Sequence, residues 1–185
     1  MTTSERSLSP HNHAHETINL RALEPEDLDL LYKIENDRSL WNVGVSNVPY
    51  SRFALHDYVA RSVSDIYTDG QVRLIIERPD KVVVGLADIV HFDPSNRRAE
   101  VGLVILNEHR QKGYARQAMA QLTDYALHVL HLHQLHVCVA TDNHPCLALF
   151  ESLGYKAATC LKDWLFDGEN YHDAVVLQIF LEKKH

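Results

Sequence analysis

One segment restricts the fold more than any other: a strand, a long amphipathic helix and a second strand in unbroken succession. "RAEVGLVIL" (98–106) reads as a strand, and "QLHVCVAT" (134–141) reads as another. Between them, Ala115, Ala118, Met119, Leu122, Ala126, Val129 and Leu130 keep a helical period from Gly113 to Leu130. A strand, one long helix and a strand in succession form the crossover unit that parallel neighbours in a sheet need. The neighbouring segments want the opposite. "QVRLIIE" (71–77), "KVVVGLADIVHF" (81–92) and "RAEVGLVIL" are separated by the turn sequences "RPDK" and "DPSNR", which predicts an antiparallel meander. "YKAATCLKDWLF" (155–166) and "NYHDAVVLQIFLE" (170–182) flank "DG" and predict a closing hairpin.

The remaining elements complete a single domain. "TINLRAL" (17–23) alternates as a first strand. "EPEDLDLLYKIEND" follows with proline at a helix start, acids in the first turn, and Leu28, Leu31 and Ile34 as its buried stripe. A second helix is predicted from Ser51 as N-cap, with Phe53, Tyr58 and Val59 among its apolar positions. "HPCLALFESL" is a helix stopped by Gly154. The expectation is an α/β (α+β) fold: one mixed central sheet with helices on both faces, spanning 17–185 behind a flexible polar leader at 1–16.

Composition excludes several functions. The formal charge of −7 argues against a nucleic-acid partner, and there is no apolar run of the ~20 residues that a membrane helix needs. Three cysteines without CxxC spacing read as reduced thiols in a soluble, cytoplasmic protein. The thirteen histidines show no metal-binding spacing such as HExxH, so no metal is expected.

The chemistry concentrates at "RQKGYA" (110–115), between a strand end and the long helix. The first N–H groups of a helix lack internal partners and carry the positive end of its dipole. With Gly113 allowing close approach and Arg110, Lys112 and Arg116 around it, such a turn suits a pyrophosphate. A basic surface loop is the plain alternative.

"RQKGYA" resembles the R/Q-x-x-G-x-G/A signature of the GNAT acetyltransferases, and "NHPCLALFESLGY" (143–155) resembles their second motif. "RRAEVGLVI" and "DGENYHDAVVL" are most similar to the branch of spermidine acetyltransferases and ribosomal-protein N-terminal acetyltransferases. The resemblance implies acetyl-CoA as cosubstrate and a splay between the fourth and fifth strands. It implies cofactor contacts from Val104, Ile105, Arg110, Gln111, Lys112, Gly113, Tyr114, Ala115, Arg116, Asn143 and Phe150. It implies Glu100 as the base that deprotonates an amine, though a carboxylate there could equally be a strand residue paired with Arg97 or Arg98. Glu35, Trp41 and Tyr50 are the candidate acceptor contacts.

Two departures stand out against the family pattern. Phe150 occupies the position of a tyrosine that protonates the leaving sulfur, and Asn47 and Val48 replace an acidic pair ahead of Pro49 and Tyr50. The expected function is N-acetylation of a primary amine, a polyamine such as spermidine or a protein N-terminus, in a possible homo-oligomer. The alternative is an acetyl-CoA-binding protein with little or no catalysis.

Overall fold

A computed structural model describes residues 17–37, 49–61 and 65–182. Strand β1 (Asn19–Ala22) leads through a 3-10 turn at Pro25–Asp27 into α1 (Leu28–Glu35). Helices α2 (Arg52–Arg61) and α3 (Ile66–Asp69) precede the meander β2 (Val72–Glu77), β3 (Val83–Asp93) and β4 (Arg98–Ile105). Then come α4 (Tyr114–His128), β5 (Gln134–Ala140), α5 (His144–Ser152), β6 (Lys156–Phe166) and β7 (Tyr171–Phe180). The seven strands form one sheet in the order β1-β2-β3-β4-β5-β7-β6, and only β4 and β5 run parallel.

The leader, the loop carrying Trp41, and the Asn47–Val48 pair lie outside the described residues. Among the described residues no helix is long and apolar enough to cross a membrane.

The acids at the start of α1 do more than complement its dipole. Both Asp27 oxygens accept from the Arg21 guanidinium (2.7 and 2.8 Å), and Arg21 Nε also donates to Glu77 at 2.9 Å. One arginine thus joins β1, the first turn and β2, and it holds the Asp27 carboxyl below its usual range despite burial, which acts the other way. The second helix departs from expectation in two respects. It ends at Arg61, and α3 starts afresh after Asp65, whose side chain accepts from Tyr67 N. Phe53, expected to face the core, is 82% exposed, and Leu55 is the buried residue. At 3.6 residues per turn the two positions lie about 200° apart, so a helix started by the Ser51 cap cannot bury both.

The sheet separates two cores. On one face, Ala87, Ile89, Ala99, Val101, Val137 and Leu177 pack with Ala118, Met119 and Leu122 of α4 and Phe150 of α5. On the other, Ile75 and Leu86 pack against Leu31 and Ile34 of α1 and Leu55 of α2, with Val104 half-buried among them. By strand alternation, Glu100 and Gly102 share the α1/α2 face with Val104.

The register of β4 matters most. It pairs with β5 at three rungs only, Arg98–Gln134, Ala99–Leu135 and Glu100–His136. Beyond Glu100, β4 stays with β3 as far as Ile105, and β5 stays with β7 as far as Ala140. The two strands part, as the expected splay requires.

Gly85 permits the β4 side of this opening: a Cβ there would lie 2.1 Å from the Val104 carbonyl oxygen, a backbone atom that cannot swing aside. Gly85→Ala should therefore lower unfolding free energy by about 1–3 kcal/mol, as overpacking does, measured by urea denaturation. An unchanged midpoint would mean that the end of β4 moves freely.

Candidate active site

The opening between β4 and β5 ends at Glu100 on one side and at the start of α4 on the other. Ile105 lies five residue steps along the strand from Glu100, ~17 Å at the usual rise per residue. A molecule anchored at the α4 turn and reacting beside Glu100 must therefore be long and extended.

The turn itself is built to receive an anion. Gln111 and Gly113 both have left-handed backbone (φ 61° and 82°), which folds the chain into a concave bend before the helix. Gly113 is the N-cap and supplies no side-chain acceptor, and the first turn of α4 holds no acid. The contrast with α5 is plain, because there Asn143 Oδ1 accepts from Cys146 N and satisfies the helix start internally. The cations are held near α4 by backbone and side-chain contacts. Arg110 Nε donates to the Ile105 carbonyl (3.1 Å), Lys112 Nζ to the Glu108 carbonyl (3.0 Å), and Arg116 to Ser152 Oγ on α5 (2.6 Å).

On the opposite face of the sheet the charge is acidic. Arg73 on β2 donates to both Asp88 oxygens at 3.0 Å and to Glu35 at the end of α1 at 2.5 Å. Burial works against the guanidinium charge, but Asp88 and Glu35 outweigh it and raise its pKa above the ordinary value. One cation is shared by two carboxylates in this cluster. Gly102, opposite Asp88 in the register, adds no side chain between Glu100 and Val104. Asn36 fixes the chain nearby by donating to the Tyr50 carbonyl and accepting from Tyr50 N (3.1 and 2.9 Å).

Glu100 is three-quarters buried and bonds to neither Arg97 nor Arg98; those arginines are directed to the His131 carbonyl and to Asp93. Its Oε2 instead lies 2.8 Å from His91 Nδ1 and 3.7 Å from His136 Nε2. Burial pushes the His136 imidazole pKa down, and Glu100 only partly opposes it. Beside these groups is a hollow of about 430 Å³ lined by His91, Asp93, Arg98, Gln134, His136 and Gln178 among others.

The residues expected from sequence are brought together in part. Arg110, Gln111, Lys112, Gly113, Ala115 and Arg116 cluster at the turn, and Val104 and Ile105 end the parted strand. Tyr114 is 2% exposed, its ring buried in the core under α4 and edge-on to His109 of the preceding turn. The ring of Phe150, a residue expected to contact the cofactor, is 1% exposed and stands edge-on to Tyr155 with centroids 5.0 Å apart. The α5 face that carries residue 150 is the face packed on the sheet. Sequence reasoning missed Arg73, Asp88, His91 and His136. For the first two a signal existed: a charged residue in the interior of each of the apolar runs "VRLII" and "GLADIV".

The acetyltransferase (GNAT) domain profile matches residues 17–156. The chain is 28% identical over 167 residues to the spermidine N(1)-acetyltransferase of Vibrio cholerae serotype O1, covering 90% of this chain and 94% of that one. It is 28% identical over 165 residues to a putative ribosomal N-acetyltransferase of Bacillus subtilis, covering 87% and 90%. A crystal structure of the Vibrio cholerae spermidine N-acetyltransferase with CoA and spermine superposes with a TM-score of 0.82 at 26% identity, covering 89% and 96%.

The burial of Phe150 has a measurable consequence. Phe150→Tyr places a hydroxyl in the apolar core beside Tyr155, and an unpaired buried hydroxyl costs about 1–3 kcal/mol. The variant should unfold at lower denaturant, with no gain in turnover. A stable variant with raised kcat would put residue 150 at the reacting sulfur instead.

Proposed function

The chain belongs to the GNAT acetyltransferase family and is an acetyl-CoA-dependent N-acetyltransferase, and from that premise we propose that it acetylates a polyamine, with Glu100 as the base. The observation that carries this reading is the position of Glu100 on the last rung shared by β4 and β5, facing the acidic side of the sheet. A carboxylate there meets an amine arriving from the α1/α2 face as the thioester arrives through the parted strands. The chemistry is direct. As the amine nitrogen bonds to the thioester carbonyl carbon, its proton passes to Glu100; the C–S bond then breaks, and water protonates the departing thiolate.

A covalent relay through Cys138, two residues beyond the apex on β5, is disfavoured. Burial, with Glu100 nearby, pushes that thiol up, away from the thiolate that a nucleophile needs. The anionic end of acetyl-CoA is assigned to the α4 turn, where Ala115 and Arg116 N–H groups precede the first intrahelical bond, Gln117 N to Gly113 O.

A polyamine suits the acceptor side because it carries several cations on one flexible chain. Asp88 lies opposite Gly102, two residues along β4 from Glu100, ~7 Å away along the strand. That spacing sets a second carboxylate beside Glu100 and offers a second amine a place while the first reacts. The second reading is a protein N-terminus. Its support is the Asn47–Val48 pair, where polyamine enzymes of this branch carry acids.

Thiol release from acetyl-CoA, measured against spermidine, spermine and N-terminal peptides, separates the two. Spermidine should be the better acceptor, and turnover of peptides alone would replace the polyamine reading. Glu100→Gln should lower kcat/KM about 10²-fold with little effect on acetyl-CoA binding. Arg110→Ala should weaken calorimetric acetyl-CoA affinity roughly 10-fold, most at low salt where screening is least. Unchanged affinity would remove Arg110 from the cofactor site.

A further inference from the structure

We infer that His91 is a positioning residue for Glu100, held in a left-handed β3 bulge so that its Nδ1 donates to one carboxylate oxygen and leaves the other for the substrate amine. This rests on Glu100 being the base.

Three observations combine. The pairing of β3 with β4 slips between Val90 and Asp93, so His91 and Phe92 fall outside the regular ladder. Within that bulge His91 has φ 49°, a conformation that β-branched and most other L side chains avoid and that histidine, asparagine and aspartate adopt more readily. The result is a 2.8 Å contact from His91 Nδ1 to Glu100 Oε2. Extended backbone at residue 91 would continue the alternation and aim the side chain elsewhere. A bulge that re-aims one side chain at a candidate base is a typical use of such irregularities.

The surroundings favour a donor role over a simple ion pair. His136 approaches the same oxygen from β5 at 3.7 Å, so both imidazoles crowd Oε2 and neither engages the other oxygen. Arg98 lies on Glu100's own strand, but its guanidinium is committed to Asp93. A carboxylate three-quarters buried and held at one oxygen keeps a single orientation, and general-base catalysis depends on that. His91 itself is 69% exposed, so its replacement should leave the fold intact.

The test uses substitutions that separate the donor from the backbone. Asparagine places an N–H close to where histidine carries Nδ1–H and tolerates a left-handed backbone. Glycine accepts the backbone and supplies no donor. With spermidine as acceptor, His91→Ala and His91→Gly should each lower kcat roughly 10-fold, the usual scale for a hydrogen bond to a charged group, with KM for acetyl-CoA unchanged. His91→Asn should restore most of the rate, and His91→Ala should add nothing in a Glu100→Gln background. A crystal structure of His91→Ala should show the Glu100 carboxylate in more than one orientation, which can be read whichever amine is the acceptor.

A silent Glu100→Gln would overturn the base assignment itself. A damaging Glu100→Gln with a silent His91→Ala, or a Glu100 carboxylate unmoved in that structure, would overturn the role of His91 alone.

Discussion

β4 and β5 share three rungs and then separate, and the site depends on that separation being affordable. An unpaired strand edge exposes backbone donors and acceptors and is normally avoided inside a sheet. Here each strand gives up one neighbour and keeps the other, β4 holding β3 and β5 holding β7 to their ends. Beneath the gap the apolar side chains do not part. Val101 of β4 and Val137 and Val139 of β5 remain in one core with Met119 and Leu122 of α4. The hydrophobic layer thus carries the load across a break in the hydrogen-bonded one. At the other end Gly85 lets the Val104 carbonyl approach where any side chain would block it.

The same sheet acts as an electrostatic partition. Around the start of α4 the chain gathers cations and an uncapped helix dipole, and on the α1/α2 face it gathers carboxylates. In the proposed reaction an anionic cofactor and a cationic acceptor would each be attracted to one side and would meet at the gap between β4 and β5. Arg73 keeps the acidic side from repelling itself, since burying Glu35 and Asp88 without a shared counter-ion would be costly. Arg21 does the same for Asp27 and Glu77 at the far edge of the sheet, where no chemistry is assigned. Two arginines thus solve the same problem, each bridging two carboxylates between different elements.

Much of this was legible in the sequence by itself. The β4–α4–β5 unit required one parallel pair in an otherwise antiparallel sheet, and hydrophobic period placed every strand within a few residues of its bounds. Gly113 and its cations marked the anion turn because helix-start chemistry is local. Features that span strands were not legible. The rung at which β4 leaves β5 depends on register, which no local pattern encodes. Phe53 was misplaced because composition names an apolar residue without saying which way its helix is rotated. The contact between His91 and Glu100 exists only because a bulge turns one residue out of alternation, and Arg73 reaches Glu35 across 38 residues of chain and Asp88 across 15. Elements follow from interactions among neighbours in the chain; the site follows from which of those elements meet, and that is decided by packing.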